Sequence, residues 1–166
     1  MSRILIADLQ KGSMKLAGLL CEKHELVYTN TVERVLKLLQ TPDGFELLII
    51  GVLFDDSRMY ELIKEVKSHP EYADMPVMGF SDHHTAMSVS GRDSIESGSH
   101  ALGVCDYIDT ENMSDEEILE RINRCLQEKK GIGRKVCKEE ETPSEKRVAQ
   151  EAKRGQSVAK TRRKGG

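Results

Sequence analysis

The chain has 166 residues, enough for one domain of ordinary size around a single core. Its net charge of −3 hides two unlike parts: residues 1–128 hold 12 Lys and Arg against 23 Asp and Glu, a net of −11, whereas residues 129–166 hold 13 against 5, a net of +8. No apolar stretch approaches the roughly 20 residues a membrane helix needs, so no membrane-spanning segment is expected.

Residues 3–8, RILIAD, are short and almost continuously apolar, which suits a strand buried on both faces of a parallel sheet. Met14, Leu16, Ala17, Leu19, Leu20 and Cys21 then recur at helical spacing over residues 13–23. HELVYT (24–29) reads as a second strand, and Val32, Val35, Leu36 and Leu39 as one face of a second helix. Pro42-Asp43-Gly44 signals a turn before LLIIGVLFDD (47–56), the third strand and its exit. In that exit, Asp55 and Asp56 read as a solvated pair, with Ser57 as the N-cap of a helix near Arg58.

Met59, Leu62, Ile63 and Val66 give this third helix its buried face, and His69-Pro70 ends it, since the residue before proline is disfavoured in helical geometry. VMGFS after Pro76 is the fourth strand. A polar segment containing His83-His84 leads to a weakly patterned helix near residues 93–101, and Asp106-Tyr107-Ile108-Asp109 is a short fifth strand. Ser114 with Glu117 forms a capping box for the last helix, in which Ile118, Leu119, Ile122, Cys125 and Leu126 make the buried stripe and Gly131 the stop. Five strand–helix repeats over residues 1–128 predict an α/β domain with a five-stranded parallel sheet and helices on both faces. Ligands and chemistry in such sheets gather at the carboxyl ends of the strands.

Cys21, Cys105, Cys125 and Cys137 form no CxxC pair and give no convergent metal-ligand spacing. Met1-Ser2-Arg3 leads directly into a strand-like run, which reads as no signal peptide. Free thiols in a cytoplasmic protein are therefore expected, with Cys105 lining the core. Residues 129–166 lack large apolar residues almost entirely, so they are expected to be largely disordered, with a short helix near 144–154. Their basic cluster, Lys160, Arg162, Arg163 and Lys164, suits nucleic-acid phosphates or an acidic protein surface, although no aromatic residue is present to stack on bases.

The order of elements over residues 2–128 resembles the receiver domain of bacterial response regulators, the CheY-like, flavodoxin-like (βα)5 fold. ELLIIGV is similar to the family's DLxLLDV, and GVCDYIDTE to GAxDYLTKP. The resemblance implies two acids after strand one, a phospho-accepting aspartate ending strand three, a Ser or Thr ending strand four and a lysine ending strand five. Carboxylates there hold Mg²⁺, and the hydroxyl and lysine read the phosphoryl charge.

In this chain Asp8 matches the first acid, but Leu9 stands in the place of the second. Gly51 occupies the acceptor position, Ser81 keeps the hydroxyl, Thr110 replaces the lysine and Glu111 the proline. Glycine cannot carry a phosphoryl group, and one carboxylate is a poor Mg²⁺ site. The resemblance therefore implies a degenerate receiver, a pseudo-receiver that is no enzyme and binds no metal. It would act by contact with a histidine kinase, an output protein or another receiver, through the face of helix four, strand five and helix five, which includes residues 93–102. Tyr107 matches the family's strand-five aromatic switch position, and a statically packed ring is the alternative. Two other functional readings stay open: phosphorylation at Asp55 or Asp56, and a nucleic-acid-associated regulator working through the tail.

Overall fold

Successive side chains of a strand point to opposite faces of its sheet, and in the computed structural model of the chain both faces are covered. The structure describes residues 1–8, 14–82 and 86–132. Leu9, His83-His84 and the basic tail with Lys160, Arg162, Arg163 and Lys164 lie outside the described residues. The elements are β1 (Ser2–Ala7), α1 (Met14–Leu20), β2 (His24–Thr29), α2 (Val32–Leu39), β3 (Leu47–Gly51), α3 (Met59–Ser68), β4 (Val77–Ser81), α4 (Ala86–Ala101), β5 (Asp106–Asp109) and α5 (Asp115–Ile132).

All strand pairs are parallel, in the order β2-β1-β3-β4-β5. This is the doubly wound order that the resemblance implies, and the domain has the CheY-like fold. On one face Leu5, Ala7, Leu48, Ile50 and Val77 pack against Val32 and Val35 of α2 and Leu62, Ile63 and Val66 of α3. On the other, Ile4, Ile6, Leu47, Ile49, Met78, Phe80 and Ile108 meet Leu16 and Leu20 of α1 and Ile118, Ile122 and Leu126 of α5. Each fully buried aliphatic side chain contributes about 1.5–3 kcal/mol, so the two apolar layers are what hold the strand ends in register. No helix among the described residues is long and apolar enough to cross a membrane.

Four expectations need correction. The fourth helix starts at Ala86, well before residue 93. Its sequence, AMSVSGRDSIESGSHA, alternates small and polar residues and carries no apolar stripe for pattern reading to find. Ser57 does not cap α3: Arg58 holds the N-cap position and makes no side-chain capping bond. The last helix runs through Gly131 to Ile132, where the described residues stop, while Ser114 Oγ does accept from Glu117 N at 3.2 Å. Finally, Cys105 and Cys125 form a disulfide across a Cα–Cα distance of 6.3 Å, which overturns the expectation of free thiols for this pair. Packing of α5 on β5 brings together two cysteines 20 residues apart, which linear spacing does not show. Cys21 is free and exposed.

Candidate functional site

Parallel register sets the site. Ala7 pairs with Ile50, Gly51 with Phe80, and Ser81 with Asp109, so the carboxyl ends of β1, β3, β4 and β5 finish side by side. Asp8 follows β1 directly, and its N–H donates to Thr29 O at 2.9 Å, tying the exit of β1 to the end of β2.

The carboxylate of Asp8 lies over the α-carbon of Gly51. A Cβ placed on Gly51 would stand 2.3 Å from Asp8 Oδ1 and 2.8 Å from Asp8 Cγ, closer than real Cβ contacts allow. Residue 51 thus lacks a side chain, and the room for one is already filled.

Thr110, at the position where the resemblance places lysine, turns towards β4. Its N–H and its Oγ1 both donate to Ser81 O at 3.0 Å, and the residue is 2% exposed. A lysine does reach this corner from another element. Lys15 of α1 donates to Thr110 O at 2.6 Å and to Met113 O at 3.4 Å, and it pairs with Asp115 at 3.3 Å. Sequence reasoning missed Lys15 because the contact joins α1 to the β5–α5 loop. Its ammonium fixes that loop.

The acid pair after β3 divides in two. Asp55 Oδ2 accepts from Val32 N at 3.0 Å, at the start of α2, and from Arg58 Nη1 at 2.9 Å. Arg58 also holds Glu33 at 3.2 Å and Glu61 at 2.6 Å. These bonds, that to Glu61 first, keep the guanidinium charged further above its ordinary range, and the Arg58 bond lowers the Glu61 carboxyl. Asp56 is exposed. Asp55, Asp56 and Ser57 have φ of 44°, 54° and 69°, three successive left-handed residues without a glycine. Such geometry costs roughly 1–2 kcal/mol per residue, and the two hydrogen bonds that Asp55 accepts, together with the fully buried Phe54, hold the turn against that cost.

Tyr107 is 3% exposed, with its ring over Gly79, its partner in the β4–β5 register. A Cβ at Gly79 would meet Tyr107 Cδ2 at 2.7 Å. The strand-five aromatic is therefore packed inward. Gly79→Ala is expected to destabilise the domain by about 1–3 kcal/mol or to expel the ring, seen in urea melts and in the NMR shifts of the Tyr107 ring protons. An unshifted ring with unchanged stability would contradict this packing. Next to it, Asp106 is nearly buried and pairs with both Arg121, at 2.9 Å, and Arg124 of α5.

The donor set does not fit Mg²⁺. Of the three positions that the resemblance would give the ion, only Asp8 carries a carboxylate, and a hard, octahedral ion is held by several oxygens. No group of three His, Cys, Asp or Glu suited to a metal occurs among the described residues.

A second feature at this end of the sheet was also missed. An open cleft of about 260 Å³ is lined by Asp8, Tyr28, Thr29, Asn30 and Arg34. Burial, and then the nearby Cys21, raises the Tyr28 phenol above its ordinary pKa.

Among solved structures the chain is similar to the following three. The signal receiver domain of a signal transduction histidine kinase from Syntrophus aciditrophicus is 20% identical with a TM-score of 0.62, over 86% of this chain and 99% of that one. A CheY-like response regulator receiver domain protein from Methanospirillum hungatei is 20% identical with a TM-score of 0.60, over 79% and 98%. NtrX from Brucella abortus is 20% identical with a TM-score of 0.63; the match takes in 81% of this chain but only 28% of NtrX. Likeness at this level of identity establishes the fold. No family model matches the chain, and no curated protein does.

Proposed function

We propose that the chain is a pseudo-receiver: a cytoplasmic signalling module of the two-component, phosphorelay kind that works by protein contact, is not an enzyme and takes up no aspartyl phosphate. One observation carries this reading. The acceptor position is Gly51, and the carboxylate of Asp8 occupies the space in which an acceptor would stand. Thr110 bonded back to Ser81 O supports it, because the lysine that would read a phosphoryl charge is replaced by a hydroxyl facing another strand.

A histidine kinase, an output protein or a second receiver is the partner this reading calls for, met on the face of α4, β5 and α5. Asp93, Glu120 and Arg124 are exposed on these helices, so the contact is expected to be polar and sensitive to salt. Tyr107 lies beneath that face and couples to it through its main chain, where Tyr107 O accepts from Arg121 Nη1 at 3.4 Å.

Incubation with acetyl phosphate and Mg²⁺ tests the proposal. The expected result is an intact mass without an added phosphoryl group. A hydroxylamine-labile adduct on the wild-type chain would overturn it, and loss of that adduct in Asp55→Asn or Asp56→Asn would establish the phosphorylatable alternative instead.

A further inference from the structure

The two outer strands of the sheet, β2 and β5, meet solvent differently. All four residues of β5 are buried. β2 is longer, with six residues, and only Thr29 in it is buried, while Tyr28 is 44% exposed. Its pairing with β1 runs unbroken from Ser2↔His24 to Ala7↔Thr29, so no bulge turns the edge aside. Natural sheet edges are guarded by lysine, proline, bulges or a covering element. Lys23 stands just before β2, but within the strand there is no Lys, Arg or Pro, and its one acid, Glu25, is held by Arg3 at 2.9 Å.

The main chain of this edge is open as well. Asp8 N–H donates to Thr29 O at 2.9 Å. Successive residues of a strand turn their N–H and C=O groups to opposite neighbours, so Glu25, Val27 and Thr29 are the β2 residues bonded to β1. The N–H and C=O groups of Leu26 and Tyr28 point out of the sheet, and nothing bonds them among the described residues. Leu26 packs on the core layer of α1 and α5, Val27 on that of α2 and α3, and both stay partly exposed. Both apolar layers therefore reach the surface at β2.

An extended strand is what such an edge accepts, and the sequence of β2 suits pairing with itself about a two-fold axis. Directly opposed residues of an antiparallel pair share a face of the sheet. An axis through Val27 sets Val27 against the second copy's Val27, and Leu26 against its Tyr28. Leu26 and Tyr28 are also the residues whose main-chain groups point outward, so each Leu26–Tyr28 pair closes a ring of N–H···O bonds. Glu25 falls opposite Thr29, away from the other copy's Glu25, so the seam brings no like charges face to face.

We propose that β2 is a dimerisation edge, through which two copies of the chain pair antiparallel and join their sheets into one. β5 lies at the far edge of each sheet, so the pairing leaves the face of α4, β5 and α5 uncovered in both copies. With that face as the partner surface the dimer is bivalent; the pairing itself does not depend on that function.

Sedimentation of the full chain over a range of concentrations, with amide hydrogen exchange followed in monomer and dimer, tests the edge. A monomer–dimer equilibrium is expected. The amides of Leu26 and Tyr28 should exchange freely in the monomer and become protected in the dimer, whereas those of Val27 and Thr29, bonded to β1, are protected in both. Tyr28→Lys sets a charge opposite Leu26 at both ends of the seam and should weaken dimerisation by about tenfold or more. Tyr28→Pro removes an outward N–H that the single chain does not use and should abolish dimerisation. Tyr28→Lys leaves the main chain unaltered, so it decides the matter if proline unfolds the strand. The proposal is overturned if the chain stays monomeric at every concentration, if a dimer forms with the Leu26 and Tyr28 amides still exchanging freely, or if Tyr28→Lys dimerises like wild type. Protection of those two amides at every concentration would also overturn it, since the chain's own residues would then cover the edge.

Discussion

Gly51→Ala is expected to destabilise the domain by about 1–3 kcal/mol, in the range of overpacked cores, and the same substitution in an Asp8→Ala background to cost about 0.5 kcal/mol or less. In an ordinary strand this exchange goes the other way, because glycine loses roughly 0.5–1 kcal/mol more to chain entropy than alanine. The reversal comes from one neighbour. The new methyl would stand 2.3 Å from Asp8 Oδ1 and 2.8 Å from its Cγ, whereas the remaining contact, Asp8 Cβ at 3.3 Å, is one a small shift relieves. Urea unfolding of the wild type, both single variants and the double variant measures the coupling directly. Equal cost of Gly51→Ala in the two backgrounds would show that Asp8 does not hold this space.

Gly51→Asp should cost more still, since it adds a second carboxylate against Asp8, and like charges so close cannot both ionise freely. Restoring the acceptor residue alone is therefore not expected to restore a phosphorylation site. On the proposed reading, the glycine at position 51 and the placement of Asp8 are one arrangement seen from two strands.

Strand runs were the most legible part of the sequence. β2, β4 and β5 lie where their short runs put them, β4 most plainly, because a strand buried on two faces is apolar almost throughout. α2 was equally clear from Val32, Val35 and Leu39, although its N-cap Thr31, whose Oγ1 accepts from Arg34 N at 3.4 Å, went unread. The start of α4 was illegible, since serine and glycine at residues 88–94 carry neither stripe nor propensity and tertiary context decides the matter.

At the site, residue identities could be read but not their use. The sequence shows Asp8, Gly51 and Thr110 standing at strand ends. It does not show that Asp8 folds over Gly51, or that Asp55 leaves its neighbours to bond the first turn of α2. The cleft was missed for the same reason: Asp8 and Arg34 meet only once β1 and β2 are paired. One signal did exist for the disulfide. Cys125 falls in the predicted stripe of α5 and Cys105 just before β5, so both were expected to face the same core.

Reduction of the Cys105–Cys125 bond is expected to lower the unfolding free energy by about 3 kcal/mol, the loop-closure entropy that a cross-link of this span removes from the unfolded chain. The separation is 20 residues, and the closed loop contains β5, the β5–α5 turn held by Lys15 and the first half of α5. Urea unfolding with and without a dithiol should show the shift, and in a Cys125→Ala chain the dithiol should have no effect. A midpoint indifferent to reduction in the wild type would overturn the estimate, as would failure to recover a disulfide-linked peptide holding Cys105 and Cys125. The bond also bears on where the protein works. Disulfides persist in oxidising compartments and are rare where glutathione keeps thiols reduced, so a cytoplasmic protein would hold this pair as thiols unless its reduction potential lies below that of the surroundings. Because the pair joins the start of β5 to α5, its reduction is expected to loosen this part of the proposed partner face and to add an ordering cost to any contact made there.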